Sequence, residues 1–484
     1  YFMKHSYITC ILLLLLTLYS CKPGDFGDIN TNPNMPKKPY TGYLITNIIR
    51  DMAATIGGSS GTPIREAPLY AQHLSEMTYQ REGVYVKGNW DFGYYQGALN
   101  DLQVVITTNS DPAKKLEASS FGSNANQLAV ARIIRAYFFL HLTDRWGDVP
   151  YKDALKGNDN LIPAYDKQSD IYNDLFKELK EAAAQFDGGV NVKGDILFGG
   201  DPAKWKKFAN TLRLVMALRL SKIDAVKGKT EFNAALADGV ILDNKDNVVY
   251  NYLQGDQNNE NYWSFSWRVD NNPYALSATL VNNLQANNDP RLPKFADKAG
   301  DGLYHGQTYG VINTNFSSMS LLGAGMRKPE SPVYFYTAAE VQFALAEAVK
   351  LTWITGTDAD AEAYYLAGIK ASMQQFGVYT DAAYAACIAS PGVVYSPAKA
   401  LELIGTQKWV ALFLNGWEAW HEWRRTGFPK LLPPTNAQTR DGQIPRRHGY
   451  PSREALLNKQ HYDEAVQRIG GPDDLASRVW WDSY

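Results

Sequence analysis

Apolar residues recur along this chain at steps of three and four over long stretches, and strict alternation is rare, so the pattern predicts helices. Between Ser169 and Phe186 the positions Ile171, Leu175, Leu179, Ala183 and Phe186 share one face, with Lys177, Glu178, Lys180 and Glu181 between them. Asp201-Pro202 supplies an N-cap with Pro at the first helical position, opening a helix through Leu220. Thr337 with Glu340 reads as a capping box for a helix to about Trp353. Thr357 with Asp360 reads as a weaker one for a helix to Phe376. Ser396-Pro397 starts another helix that runs through Trp423, with Trp409, Phe413, Trp417, Trp420 and Trp423 at core spacing. Gln127 to Leu142 is apolar on most faces, the mark of an internal helix. Strand signals are confined to Asn247–Tyr252 and Thr308–Thr314, which could pair with each other. Paired helices of roughly 15–25 residues predict stacked αα-hairpins of the tetratricopeptide kind, without a strict repeat of about 34 residues. The expected fold is therefore mostly all-α, a helical-hairpin scaffold broken by a loop-rich insertion over about 244–332.

The first residues carry a different pattern. Lys4 and His5 precede an apolar run from Ile8 to Leu18, too short for the roughly 20 residues that span a bilayer. This is the h-region of a secretory signal. Leu18-Tyr19-Ser20-Cys21 then resembles a bacterial lipobox, with Cys21 acylated to become the mature N-terminus. Residues 1–20 read as a lipoprotein signal peptide and 21–39, rich in Gly, Pro and Asn, as a flexible lipidated tether. Residues 40–484 read as one domain. Acyl chains contribute roughly 0.8 kcal/mol per buried CH₂, enough for several to hold the chain on a membrane.

Composition narrows the function. The chain has 484 residues, with 48 Lys+Arg against 50 Asp+Glu, so no cationic excess is available to grip nucleic acid. Its 45% hydrophobic content is that of a folded globular protein. Motifs for catalysis or metal binding fail on inspection. Gly57-Gly58-Ser59-Ser60-Gly61 has the spacing of a nucleophile elbow but lacks the preceding strand and following helix. His421-Glu422 has Arg425 where a zincin needs its second His. Gly228-Lys229-Thr230 lacks the earlier Gly of a P-loop, and Asp243–Asn247 lacks the Gly and final Glu of a calcium loop. No cofactor or metal is expected, and no enzyme emerges.

Aromatic residues are the informative excess, 30 Tyr and 12 Trp. Trp90, Phe92, Tyr94 and Tyr95 follow Arg81 and Lys87 in a Gly-punctuated segment. Tyr250, Tyr252, Tyr262, Trp263, Phe265 and Trp267 lie in a stretch holding eleven Asn between Asn247 and Asn288. Flat rings beside amide and guanidinium donors suit a sugar, whose C–H face stacks while its hydroxyls take hydrogen bonds; they also suit peptide backbone. The competing reading is that the rings pin long loops to the helices.

Further phrases make the chain resemble a known family, the SusD/RagB-like outer-membrane nutrient-binding lipoproteins of Bacteroidetes. They are Arg145-Trp146-Gly147-Asp148-Val149-Pro150-Tyr151, Asp201-Pro202-Ala203-Lys204-Trp205 with Ala209–Arg213, and Asp289-Pro290-Arg291-Leu292. The strongest runs from Gln407-Lys408-Trp409 through Glu418-Ala419-Trp420 to Arg424-Arg425-Thr426-Gly427, followed by Ile444–Arg447 and Trp480-Trp481-Asp482. The resemblance implies a tetratricopeptide-like scaffold with ligand loops, lipid-anchored at the cell surface. It also implies non-catalytic delivery of an oligosaccharide to a SusC-like TonB-dependent transporter. An oligopeptide ligand, an all-helical surface glycoside hydrolase and a pure scaffold are the alternatives. The family's starch-binding members place ligand residues in the regions matching Arg81–Tyr95 and Tyr250–Trp267. The expected stacking platforms are Trp90, Tyr94, Trp263 and Trp267, with Arg81, Asn89 and Asn261 as hydrogen-bond partners. The Arg doublets 424–425 and 446–447 are expected to be structural, buried against carboxylates.

Overall fold

The computed structural model describes residues 40–58, 66–88, 90–269 and 274–483. The expected signal peptide and tether with Cys21, and also Ser59–Gly61 and Asn89, lie outside the described residues. The longer helices are α1 (Thr41–Gly57), α2 (Ala98–Ser110), α3 (Asn124–Trp146), α4 (Gln168–Ala184), α5 (Pro202–Arg219) and α6 (Ala225–Asp238). After the central segments α7 (Tyr262–Val269) and α8 (Ala278–Ala286) come α9 (Ala338–Lys350), α10 (Asp358–Gln375) and α11 (Asp381–Ile388). The last are α12 (Ala400–Ala411), α13 (Gly416–Thr426) and α14 (Lys459–Ile469). Each of α1 to α5 packs on the next, and α9 packs on α10 and α12. This is a mostly all-α stack of helical hairpins.

The periodic faces are what the hairpins bury. In α4, Ile171, Tyr172, Leu175, Phe176 and Leu179 are buried while Lys177 and Lys180 stay exposed. Burying each large apolar side chain contributes about 1.5–3 kcal/mol. The α5 start is as expected, with Asp201 Oδ1 accepting from Ala203 N at 2.9 Å. The two capping boxes exchange rank. Thr357 and Asp360 form the complete reciprocal pair. Thr337 Oγ1 accepts from Glu340 N at 3.3 Å, but the Glu340 carboxyl does not return the bond. It is fully buried, with neither oxygen hydrogen-bonded.

Two expectations are corrected. The helix expected from Ser396 to Trp423 is two helices, because Leu414 adopts φ +67° and Asn415 caps α13 through Glu418 N. The strands also pair otherwise than expected. They are β1 (Leu74–Glu76), β2 (Val149–Pro150), β3 (Tyr165–Asp166), β4 (Val248–Tyr250), β5 (Tyr274–Leu276) and β6 (Val333–Tyr336). They form the antiparallel pairs β1–β5, β2–β3 and β4–β6. β4 therefore joins the segment leading into α9, and Thr308–Thr314 forms no strand.

Behind the scaffold, five helices share a buried ionic network. Arg219 of α5 meets Asp144 of α3 at 2.8 Å and Glu418 of α13 at 2.7 Å. Arg425 of α13 binds Glu347 of α9 through both terminal nitrogens, at 2.5 and 2.6 Å, and Glu422 at 2.7 Å. Lys408 of α12 lies 2.8 Å from Glu422. Burial alone would raise Glu422, but Arg425 and Lys408 override it and hold the carboxyl well below its usual range. Arg446 pairs with Asp482, and Arg447 with Asp473 at 2.7 Å. Arg424 departs from the expectation for the doublets. It donates to the backbone carbonyls of Arg446 and Asp144, each at 2.7 Å, and lies 3.8 Å over the Trp420 ring. Burial pushes its guanidinium down to about 9.

Candidate functional site

A cleft of about 570 Å³ opens where the end of α1, the 90–98 segment, the end of α3 and the chain after β4 converge. Arg50 and Asp51 come from α1, Tyr250 from the end of β4, Tyr252 and Asn258 to Glu260 from the segment after it, and Trp417 from the start of α13. Trp90 stacks on His448 with ring centres 4.1 Å apart and planes within 9°. Its Nε1 donates to Glu66 Oε1 at 3.4 Å. Gly88 closes against the same indole, since a Cβ there would lie 2.9 Å from Cε2. The ring is thus clamped, half-buried, with its remaining surface on the cleft. Tyr94 rests on Phe138 and His141, at 5.3 and 5.6 Å between centres. Tyr252 packs edge-on to Tyr250, whose hydroxyl donates to Asn259 Oδ1 at 2.9 Å.

Arg145 stands behind these rings. Its guanidinium lies between Trp146 and Trp417, 4.3 and 4.2 Å from their centres. Its terminal nitrogens donate to His141 at 3.3 Å and His448 at 3.2 Å. Both imidazoles are held neutral, chiefly by burial and then by Arg145 itself, so their facing nitrogens can accept. Burial raises the Glu66 carboxyl, and burial with Asp101 nearby raises Asp51. Other cleft carboxylates are already paired, Asp91 with Arg453 and Glu260 with Arg268. The walls therefore combine rings with ionisable groups of both signs, Arg50, Arg145, Asp51 and Glu66, that have no salt bridge among the described residues and give strong hydrogen bonds to hydroxyls.

The structure brings together only part of the expected set. Trp90 and Tyr94 line the cleft. Trp263 does not: it is 4% exposed, packed between Tyr262 and Tyr274 in the core. Asn261 is buried beside it, accepting from Trp263 N at 2.9 Å and donating to Ser331 O at 3.0 Å, so it shapes the start of α7. Trp267 is 41% exposed but off the cleft, with the Arg327 guanidinium 3.5 Å from its ring centre. Arg81 is exposed on a turn and does not line the cleft either. From the second aromatic group the cleft takes Tyr250 and Tyr252 instead. Arg50, Asp51, Glu66 and Arg145 were not singled out as ligand residues. Nothing local marks them, because three separate segments deliver them. Among the described residues no group of three or more His, Cys, Asp or Glu is placed to hold a metal. No described helix is long and apolar enough to cross a membrane.

Known proteins share the fold of this chain. A family model described as SusD-like, starch-binding associating with outer membrane, matches residues 33–451. A chitin-binding protein of solved structure is 30% identical, with a TM-score of 0.78, over 92% of this chain and 100% of that one. A chitin-binding SusD homolog from Flavobacterium johnsoniae is 25% identical, TM-score 0.76, over 91% of this chain and 98% of its own. A SusD homolog from Bacteroides fragilis is 26% identical, TM-score 0.77, over 92% and 100%. No curated protein sequence matches the chain.

Proposed function

The chain belongs to the SusD-like family of non-catalytic, outer-membrane nutrient-binding proteins, and from that premise we propose that its cleft binds an oligosaccharide. The observation that carries this reading is the cleft wall, where Trp90, Tyr94 and Tyr252 alternate with Arg50, Asp51, Glu66 and Asn259. Rings supply stacking surface, and the charged and amide groups supply directional bonds to hydroxyls. The chitin-binding names of two similar structures support a polysaccharide source. Cys21 carries the lipid, and the bound sugar passes to a SusC-like TonB-dependent transporter. Co-purification of the full chain with such a transporter tests that partnership.

Affinity electrophoresis of the lipid-free protein, starting after Cys21, across glycol chitin, starch and xylan tests the ligand. One glycan should retard it, and Trp90→Ala should abolish the retardation while the thermal melt stays cooperative. Retardation by none would overturn the sugar reading. One observation favours an oligopeptide instead: the cleft is lined by the cations Arg50 and Arg145 as well as the carboxylates Asp51 and Glu66, a set that also suits two chain termini. Calorimetric titration with mixed tryptic peptides tells the two apart.

A further inference from the structure

We infer that the chain carries a second carbohydrate contact, a groove between α8 and the loops 299–306 and 316–319. This rests on the glycan reading of the cleft but on different residues: the groove, about 660 Å³, shares no lining residue with it. Ala278, Asn282 and Gln285 stand four and three residues apart on α8 and so form one stripe along its wall. Tyr304, His305 and Asp301 form the facing wall.

The frame is fixed. Ala278 N donates to Gln307 O at 2.8 Å, Ser320 N to His305 O at 2.8 Å, and Gly300 N to Ser317 O at 2.7 Å. Gly306 approaches α8 so closely that a Cβ there would lie 2.4 Å from Ala278 Cα. Loops tied in this way hold the groove open without a ligand.

Its lining, like that of the cleft, sets a ring beside polar side chains. The Tyr304 ring is half-buried, with the Lys298 ammonium 5.8 Å from its centre. Asn282 is exposed, and its side chain makes no hydrogen bond among the described residues. Gln285 spends one amide proton on Tyr304 O at 3.3 Å, leaving its carbonyl oxygen to accept. His305 Nε2 lies 2.7 Å from Asp301 Oδ2, a hydrogen-bonded pair whose remaining polar atoms can bond a diol. A ring, two amides and an imidazole–carboxylate pair, with no arginine, fit neutral sugar hydroxyls and not a phosphate or sulfate. A long glycan touching groove and cleft together gains avidity that a short one cannot.

The test compares polymers with short chains: electrophoresis in glycol chitin and in starch, and calorimetry with chitohexaose and maltohexaose. The variant Asn282→Ala/Tyr304→Ala should weaken binding to the retarding polymer about tenfold and leave hexasaccharide affinity unchanged. Asn282→Trp, at an exposed helix position, fills the groove without disturbing Tyr304 and should give the same loss. Wild-type retention in both variants overturns the groove while leaving the cleft standing. A wild type that binds neither polymer nor hexasaccharide overturns both.

Discussion

The segments 90–95 and 262–267 look alike as text, each a cluster of rings beside asparagine, yet they meet opposite fates. The first is irregular backbone flanked by Gly88, Gly93 and Gly97, with a single short turn over Gly93–Tyr95. Trp90 and Tyr94 are propped from behind by His448, Phe138 and His141 and remain half-buried on the cleft, while Phe92 turns into the core. The second winds into α7, and helical rotation carries Tyr262 and Trp263 into the core while Trp267 ends outside. Aromatic content alone does not find a ligand surface; the backbone beneath the rings decides which way they face.

The largest expected effect is on stability. Trp263→Ala removes a buried indole and should cost about 3–5 kcal/mol in denaturant unfolding, while the folded fraction binds glycan normally. Next comes binding. Trp90→Ala should cost about 2 kcal/mol of affinity, roughly thirtyfold by calorimetry, if the ring is a hot spot. Reversed outcomes, with Trp263→Ala folded but unable to bind and Trp90→Ala merely less stable, would abolish the distinction between the two segments.

How far the text could be read follows from the same physics. Helix faces and caps are local, so the α4 stripe and the Asp201 cap appear in the sequence as they do in space. The break at Leu414–Asn415 is hidden, because continuous apolar spacing masks a cap that only the backbone reveals. The pairing of β4 with β6 spans more than eighty residues and leaves no local mark. Trp90 and Tyr94 were legible as candidates. Arg50, Glu66 and Arg145 were not, since a site assembled from segments far apart in the chain has no spacing to read.

Charged groups sharpen the contrast between cleft and interior. Burial raises both Glu66, on the cleft, and Glu340, inside, the latter well above its ordinary value with Glu418 adding to the shift. For Glu340 the folded state keeps its proton where the unfolded chain has lost it. Stability is then fully present below the unfolded value near 4.5 and falls as pH rises toward the folded one, by up to about 1.4 kcal/mol per pH unit. Glu340→Gln should remove that slope, read from unfolding free energies at pH 5, 6, 7 and 8, without changing glycan affinity. Glu66→Gln should instead flatten the pH dependence of binding, which in the wild type weakens as pH falls and the carboxylate stops accepting hydroxyls. An unchanged stability slope in Glu340→Gln would mean that the buried carboxyl is ionised and paired.

The smallest effect belongs to Trp267. It shares α7 with Trp263, one helical turn on, but it stands 41% exposed under Arg327. Arg327 is itself fixed by Asp297 at 2.6 Å and by Leu322 O at 2.9 Å, so the ring lies on a cation that is already anchored. A stack of this kind at an exposed site contributes about 0.5–1 kcal/mol. Trp267→Ala should therefore lower unfolding free energy by no more than that and leave retardation by the glycan unaltered. A binding loss as large as that of Trp90→Ala would extend the ligand surface beyond the cleft to α7, and the exposed end of this helix would then join the first segment in function while its buried start remained core.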